Sequence, residues 1–396
     1  MKILIAAESY YPNADGASYA AHRLARSLKD KGHTIMVVAP SKTTHTGPEE
    51  RDGISVFGVR SYPILVSKGF RFSPPVFIKR SIEKAVKDFG PDVVHIQSHF
   101  FVCEQVFRAA KKMGIPVVGT NHFMPENLIH YFPVPKSWKK TIKDSAWRKF
   151  TSVYEKLDIV TTPTITAAKL AKRIGLNKEI IPVSNGIDLA RFNPQNVGEY
   201  LREKYALGHD PILLYVGRLD KEKNIDKIIR ALKLIPANIA FKFAVAGKGA
   251  EKNKLKRLAE KLGLEKKMIF LGFVADKDLP NLYPLAACFI IAGIAELQSI
   301  VTMEAMASGL PILAANAVAL PELVHPEENG FLFENGDLKQ IADGIVKIFS
   351  DPALQERMSQ KSLEMIQEHD ETKIVSRFES FYAELAGNNE KNNQEA

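Results

Sequence analysis

Short apolar runs rich in β-branched residues alternate with helix-favouring stretches along most of the chain. This alternation is typical of βαβ units built around a parallel sheet. In the first half, the runs that predict strands are KILIAA, TIMVVAP, SVFGV, DVVHIQ, PVVGTNH and DIVTTP. A second series consists of PILLYVG, FKFAVAG, MIFLGF, CFIIAG and PILAA. The pattern predicts an α/β fold with two doubly wound, Rossmann-like parallel sheets.

The strand pattern restarts near Pro211, after the turn-rich segment PVSNGIDLARFNPQ. We therefore place an N-terminal domain at residues 1–187 and a C-terminal domain at residues 188–369. Residues 370–386 predict an amphipathic helix. The apolar face of this helix comprises Ile374, Phe378, Phe381 and Leu385. The polar residues 387–396 predict a disordered tail.

Two doubly wound domains that face one another would form a central cleft. Open α/β sheets bind their ligands in the crevice outside the carboxyl ends of the strands. We therefore expect the functional residues to lie on the loops that follow the strands.

Composition narrows the class of protein. The chain of 396 residues is 45% hydrophobic and contains no apolar run near the ~20 residues that a membrane-spanning helix needs. Its opening, MKILIAAESYYP, predicts a buried first strand rather than a secretory signal, so we expect a cytoplasmic protein. Cys103 and Cys288 have neither metal-ligand nor redox spacing, and we expect two buried thiols. The net charge of +9 suits an anionic partner such as a nucleotide, a nucleic acid or a lipid surface.

Two loops of the second series carry candidate phosphate-binding residues. Arg218 and Lys223 follow PILLYVG, and two such cations can flank a diphosphate. The alternative is a solvated basic turn. Gly247 and Gly249, in AVAGKGAEK, resemble half of a dinucleotide fingerprint without its third glycine. They predict either a turn that lets backbone approach a nucleotide or a purely structural turn.

Two loops of the first series carry further candidates. Gly16 lies between the first strand and a helix, where a side chain would block a ligand from the backbone N–H groups at the helix start. A structural role for this glycine is equally compatible with the sequence. His122 ends the run PVVGTNH and could hydrogen-bond a substrate hydroxyl or donate to a leaving group. A structural histidine is the alternative.

The segment AELQSIVTMEAMASGLP contains the most specific pattern. Glu296 lies in a loop after the strand CFIIAG, and Glu304 lies inside the helix that follows. The backbone N–H groups around Ser299, Ile300 and Val301 should start this helix and can bind phosphate oxygens. Glu304 could accept hydrogen bonds from ribose hydroxyls, or it could simply complement the helix dipole.

The combination of GRLDKEK, GKG, a glutamate separated by seven residues from EAMASGLP, PELV, NGFLF and SNGID resembles the donor-binding domain of family-4 glycosyltransferases. The resemblance covers nearly the whole chain. It implies the GT-B fold, with two Rossmann-like domains and a last helix that crosses back to the first domain.

The resemblance implies donor contacts in the C-terminal domain. Arg218 and Lys223 would bind the diphosphate and Glu304 the ribose, while Glu296 would contact the sugar near its anomeric carbon. Val274, in LGFVAD, would lie near the nucleotide. Members of the family usually retain anomeric configuration and need no metal cofactor, because two basic residues replace the metal's charge.

In the N-terminal domain, the resemblance places Gly16 under the diphosphate and His122 near the sugar or acceptor. One departure concerns Leu297, Gln298 and Ser299, which stand where many relatives have Phe-Gly after the first glutamate. Variants with Gln near this position resemble bacterial enzymes that glycosylate diacylglycerol. The implied donor is a UDP-glucose-like nucleotide sugar, with GDP-mannose as the alternative.

A basic and aromatic segment follows His122. Aromatic residues beside lysines suit an anionic membrane surface. The candidate membrane and acceptor residues are Trp138, Lys139, Lys140, Lys143 and Trp147. They predict a peripheral membrane enzyme of glycolipid biosynthesis with a lipid acceptor. A partly buried helix with a solvated basic edge, and a soluble acceptor, are the alternatives.

Other functions remain as rivals. A sugar-nucleotide epimerase or a phosphorylase shares the two-domain architecture. A glycosidase needs two carboxyl groups about 5 to 9.5 Å apart across one bond, which nothing in the sequence predicts. A non-catalytic nucleic-acid-binding module would explain the charge, but the chain has no nucleic-acid motif.

Overall fold

The computed structural model describes residues 1–12, 16–63, 71–122 and 136–395. The chain divides into two compact units. Unit 1 comprises Met1–Gly186 together with the segment that begins at Thr372, and unit 2 comprises Ile187–Glu371. The predicted boundaries after residues 187 and 369 lie one and two residues from these divisions.

An eight-stranded sheet forms the centre of unit 1. Its strands are β1 (Lys2–Ala6), β2 (Thr34–Pro40), β3 (Gly47–Arg51), β4 (Ile54–Val59), β7 (Val93–Ile96), β8 (Val117–Thr120), β9 (Ile159–Thr162) and β10 (Ile181–Pro182). The order is β10-β9-β8-β7-β1-β2-β4-β3, and only β3 and β4 pair antiparallel. A separate two-stranded ribbon consists of β5 (Tyr62–Pro63) and β6 (Arg71–Phe72).

Helices cover this sheet. They are α1 (Gly16–Asp30), α2 (Pro75–Phe89), α3 (Phe101–Lys112), α4 (Lys136–Tyr154), α5 (Ile165–Arg173) and, at the end of the chain, α13 (Glu371–Glu395). Apolar clusters lie on both sheet faces, because strands buried on both faces are apolar at nearly every position. Cys103, on α3, is a buried free thiol, as predicted.

The C-terminal helix α13 packs on unit 1. Val375, Phe378 and Tyr382 are buried against the sheet, and the hydroxyl of Tyr382 lies 2.7 Å from Nδ1 of His95. The helix continues through Glu395. The prediction of a disordered tail at residues 387–396 was therefore wrong for residues 387–395. Packing of the first turns stabilises the helix nucleus. Each polar residue that follows then adds one backbone hydrogen bond for a small loss of conformational entropy.

Unit 2 contains a six-stranded parallel sheet. Its strands are β11 (Ile212–Val216), β12 (Lys242–Ala246), β13 (Met268–Gly272), β14 (Cys288–Ile291), β15 (Ile312–Ala315) and β16 (Gly330–Phe333). Their order, β13-β12-β11-β14-β15-β16, is that of a doubly wound Rossmann sheet. The predicted α/β fold class with two such sheets is therefore confirmed.

The described helices of unit 2 are α6 (Glu199–Lys204), α7 (Ile225–Leu232), α8 (Lys252–Lys261), α9 (Leu279–Leu282), α10 (Ile300–Ala307), α11 (Leu338–Ser350) and α12 (Pro352–Ile366). The local sequence explains where two of these helices begin. Asp337 accepts hydrogen bonds from the backbone at the start of α11, and Asp351 does so for α12, which begins with proline. A single apolar core surrounds the sheet and includes Cys288.

Candidate functional site

The loops after β11 and β14 lie side by side at the centre of the unit 2 sheet. β11 and β14 are neighbours, while β12 and β15 lie on opposite sides of this pair. This is the topological switch point, where the connecting loops diverge and leave a crevice. Arg218 and Lys223 lie in the first loop and Glu296 in the second, so the fold brings together residues 73 positions apart.

Lys223 and Glu296 form an ion pair. The Lys223 Nζ lies 2.5 Å from the Glu296 Oε1, and both side chains are only 16% exposed. The amide of Asn224 donates to the Ala292 carbonyl oxygen at 3.0 Å and joins the same two loops. The sequence predicted separate ligand contacts for this lysine and this glutamate, but it did not predict their pairing.

Arg218 is held by two carboxylates. Its guanidinium lies 2.5 Å from the Asp220 Oδ2 and 3.0 Å from the Glu222 Oε1. The hydroxyl of Tyr215 donates to the Arg218 backbone oxygen at 2.8 Å. The two candidate phosphate-binding cations thus contact three carboxylates, and an incoming diphosphate must compete with them.

Gly247 and Gly249 are required by the packing of neighbouring loops. A Cβ at Gly247 would lie 1.8 Å from the Gly217 backbone oxygen, and one at Gly249 would lie 2.3 Å from that of Leu219. Gly247 also has a φ of 150°. The backbone N–H of Leu219 donates to the Lys248 oxygen at 2.9 Å. The turn after β12 therefore supports the loop that carries Arg218.

Helix α10 begins as predicted. Ser299 is its N-cap and accepts a hydrogen bond from the backbone N–H of Thr302, and Ile300 is the first helical residue. The N–H groups of Ile300 and Val301 belong to the first turn, whose donors have no partners within a helix. The start of α10 can therefore supply N–H groups to an anion.

Glu304 lies on the second turn of α10 and is 8% exposed. The hydroxyl of Tyr283 donates to its Oε2 at 2.7 Å. Burial and the carboxylate together raise the pKa of Tyr283 well above its usual range, so this tyrosine remains a donor. The sequence reasoning missed Tyr283, which begins a short 3-10 helix directly after α9 and belongs to no recognisable motif. Val274 is 7% exposed and lies just after β13.

In unit 1, Gly16 and His122 lie in the segments that follow β1 and β8. Gly16 is the first residue of α1. His122 follows β8 and is partly buried, and its Nε2 lies 2.6 Å from the Gln97 Oε1. Burial lowers the pKa of His122 to about 4, so the imidazole is neutral at pH 7. A neutral imidazole accepts one hydrogen bond and donates another, but it lacks the second ring proton with which an imidazolium would protonate a leaving group.

Glu8 is a buried carboxylate at the same end of the unit 1 sheet, and sequence reasoning missed it. It comes two residues after β1, and its Oε1 accepts the backbone N–H of Cys103 at 2.9 Å. Burial raises the pKa of Glu8 to about 7. An acidic residue directly after a buried first strand was the signal available in the sequence.

Helix α4 divides into an exposed and a packed half. Trp138 is 65% exposed, and Lys140 is also exposed. Trp147 is 6% exposed and lies edge-on to Phe150 in the core of unit 1. The assignment of Trp147 to a membrane surface was therefore wrong, because this side of the helix covers the sheet. Lys143 is partly exposed, and the side chain of Lys139 lies outside the described residues.

None of the helices described is both long and apolar enough to cross a membrane. Within the same residues, no group of three or more histidine, cysteine, aspartate or glutamate side chains is placed to hold a metal ion.

Comparisons with known proteins match both units. Residues 14–191 match the model of Glycosyltransferase Family 4, and residues 199–365 match that of Glycosyl transferases group 1. Together, the two matches extend from residue 14 to residue 365 with a gap of a few residues.

Individual relatives are similar over most of their length. A GDP-mannose-dependent alpha-mannosyltransferase of Mycobacterium tuberculosis is 26% identical, covering 86% of this chain and 85% of that protein. An alpha-monoglucosyldiacylglycerol synthase of Streptococcus pneumoniae is 27% identical, covering 84% of this chain and 75% of that protein. The solved structure of HepE from Anabaena with UDP-glucose has a TM-score of 0.78 at 19% identity, covering 97% and 100% of the two chains. This last likeness shows a shared fold.

Proposed function

Because the chain belongs to the family 4 glycosyltransferases and has their GT-B fold, we propose that it moves a hexose from a UDP-glucose-like donor to a diacylglycerol-like lipid. The transfer retains anomeric configuration, needs no metal and takes place at the cytoplasmic face of a membrane. The observation that carries the donor half of this proposal is the meeting of Arg218, Lys223 and Glu296 at the switch point of unit 2.

Each part of the donor has a partner in unit 2. Glu304 accepts from the Tyr283 hydroxyl through its Oε2, and a carboxylate offers several acceptor sites to which ribose hydroxyls can donate. Arg218 and Lys223 bind the diphosphate, together with the first turn of α10. Glu296 is then released from Lys223 and lies beside the sugar. A relative of the same fold, HepE, was solved with UDP-glucose, which supports this class of donor.

Metal independence follows from the same exchange of partners. A diphosphate carries more negative charge than one carboxylate, so it displaces Glu296 from Lys223. The cations and the helix start then stabilise the charge that develops on the leaving diphosphate. Activity in excess chelator tests this step, and a full loss that magnesium or manganese restores would contradict it.

The acceptor half of the proposal rests on unit 1. Trp138 and Ile142 are exposed on α4 beside Lys140, and Val76 and Phe77 are exposed at the start of α2. Exposed aromatic and apolar residues near cations suit an anionic lipid surface. The pneumococcal relative is a synthase of a glucosylated diacylglycerol, which supports a lipid acceptor. In the proposed reaction, Gly16 is assigned to the donor diphosphate and His122 to the sugar or acceptor.

A GDP-mannose-dependent transfer is the second candidate, and the mycobacterial relative favours it. The experiment that separates the two supplies UDP-glucose or GDP-mannose with mixed vesicles of diacylglycerol and an anionic lipid. We expect a lipid-soluble glucoside from UDP-glucose, with an anomeric proton coupling that shows retention. Product from GDP-mannose alone would establish the second candidate, and sugar transfer only to soluble compounds would exclude the lipid acceptor.

A further inference from the structure

Gln97 lies at the switch point of the unit 1 sheet. It directly follows β7, the strand next to β1, and its backbone N–H donates to the Ala6 oxygen at 2.9 Å. The crevice of a doubly wound sheet opens at this position. No motif in the sequence indicated a role for Gln97.

The side chain of Gln97 is buried and only half satisfied. The residue is 6% exposed, and its Oε1 lies 2.6 Å from the His122 Nε2. Its Nε2 is buried and has no hydrogen-bond partner among the residues described. Buried donors of this kind are rare in proteins, because an unmade hydrogen bond costs free energy. Such a donor is explained if it forms its hydrogen bond only when a ligand binds.

The contact with Gln97 determines which nitrogen of His122 carries the proton. An amide oxygen only accepts, so the His122 Nε2–H donates to it. The ring is neutral, because burial lowers the pKa of His122 to about 4. The Nδ1 therefore has a lone pair that can accept a hydrogen bond. Within the part of the chain that the structure describes, the titratable group that interacts with His122 is His95 on β7, which is itself neutral, since burial lowers its pKa to about 3.

We infer that Gln97 is a positioning residue that fixes His122 in the Nε2–H form and offers its own amide N–H to the same polyhydroxylated ligand. A sugar or a glycerol group suits this pair, because its oxygens accept from the amide while its hydroxyl hydrogens donate to the His122 Nδ1. The inference rests on the proposed function, which places a sugar and its acceptor at this end of unit 1.

The tautomer of His122 provides a test that does not depend on activity. Long-range nitrogen–proton NMR spectra of the full chain, labelled with nitrogen-15, report the tautomer, and His122→Gln assigns the signals. We expect a neutral Nε2–H form between pH 5.5 and pH 7.5. In Gln97→Met, the ring should populate both tautomers, whereas Gln105→Met, which changes another buried glutamine of unit 1, should leave it unchanged.

Kinetics complete the test. With the acceptor that reacts, Gln97→Met should lower kcat/KM at least tenfold without changing the affinity for nucleoside diphosphate. Gln97→Glu should move the acid limb of the pH profile to higher pH, because a carboxylate stabilises the imidazolium form of His122. An Nδ1–H form in the unchanged protein, or unchanged kinetics in Gln97→Met, would overturn the inference. If the enzyme does not glucosylate lipid but His122 is in the Nε2–H form, only the proposed acceptor would be overturned.

Discussion

At the scale of single residues, the candidate donor site is defined by exchangeable ion pairs. Arg218 contacts Asp220 and Glu222, and Lys223 contacts Glu296. These pairs hold flexible cationic side chains in one orientation, which reduces the entropy lost when they bind a phosphate. They also oppose binding, because a diphosphate must replace at least one carboxylate. Affinity for the donor is therefore a difference between two sets of charged contacts.

We expect Arg218→Ala and Glu304→Ala to weaken nucleoside diphosphate binding about tenfold or more, since each loses a contact of about 1.5–3 kcal/mol with a charged group. Glu296→Ala should instead lower turnover, because in the proposed reaction Glu296 contacts the reacting sugar and its loss frees Lys223 for the diphosphate. Calorimetric titration and steady-state kinetics measure the two effects. Arg357→Ala, which removes an exposed cation on α12 of unit 2, is the control. Unchanged affinity in both of the first two variants would refute their assignment.

Tyr283→Phe separates the proposed ribose contact from the proposed diphosphate contact. The variant removes the hydroxyl that donates to the Glu304 Oε2 at 2.7 Å and leaves the ring in the core. We expect affinity for a nucleoside diphosphate to fall several-fold, while affinity for inorganic pyrophosphate remains unchanged. An equal loss for both ligands would show that Glu304 does not contact the nucleoside.

At the scale of elements, the strand pattern predicted both sheets because parallel strands buried on two faces are long apolar runs. The eleven predicted runs all contain strands. β16 was missed because a strand of four residues directly after a turn is too short to show a hydrophobic pattern. NGFLF is, however, among the motifs that carry the family resemblance. β3 was missed because GPEER has no apolar alternation and pairs only at the edge of the sheet.

The candidate site shows a similar division. Loop positions followed from strand ends, so Arg218, Lys223 and Glu296 were predicted to lie on loops that line a ligand-binding crevice. The partners Tyr283 and Gln97 were not, because contacts across long stretches of sequence depend on packing. Trp147 was misassigned because helical spacing gives the faces of a helix but does not show which face is covered.

We expect Gly249→Ala to disturb the support of the Arg218 loop. A Cβ there would lie 2.3 Å from the Leu219 oxygen, a backbone atom that cannot move alone. The variant should lower the melting temperature of unit 2 by several degrees and weaken nucleoside diphosphate binding. Gly47→Ala is the matched control, since a Cβ at Gly47 meets nothing within 4 Å and neither glycine has a positive φ. Equal behaviour of the two variants would show that the loop contact is dispensable.

At the scale of the whole molecule, the charge states of unit 1 link its stability to pH. Burial lowers the pKa of His95 and His99 to about 3 and that of His122 to about 4. These residues stay neutral when folded but bind protons in the unfolded chain below a pKa of about 6.5. Their contribution to stability is therefore present above pH 6.5 and is lost as the pH falls toward 4 and then 3. Glu8 acts in the opposite direction, because its pKa is raised to about 7.

We expect the melting temperature of unit 1 to fall between pH 6.5 and pH 4.5, since three histidines outweigh the one glutamate. Scanning calorimetry at several pH values measures this slope. His122→Gln should make the slope shallower, because it removes one proton-binding group from the unfolded chain. His45→Gln, which replaces an exposed histidine of unit 1, should leave the slope unchanged. A slope unaffected by His122→Gln would show that this histidine is protonated in the folded protein.

The proposed membrane binding concerns the whole molecule, but the residues on which it would depend lie on two helices. Trp138 and Phe77 are 65% and 56% exposed on α4 and α2, and Lys140 and Lys79 are exposed nearby along each helix. Each cation contributes about 1 kcal/mol at an anionic surface, and the aromatic rings add affinity at the interface. The protein should therefore float with vesicles that contain an anionic lipid, but not with neutral vesicles, and added salt should reduce flotation.

Paired variants test whether specific residues or total charge determine this binding. Trp138→Ser with Lys140→Glu, or Phe77→Ser with Lys79→Glu, should abolish flotation. Lys254→Glu with Lys256→Glu lowers the net charge by a larger amount at exposed positions of unit 2 and should leave flotation unchanged. Loss of flotation in all three variants would mean that the net charge of +9 alone attracts the protein to the membrane. No flotation of the unchanged protein at low salt would refute membrane docking, and a soluble acceptor would then replace the lipid in the proposed reaction.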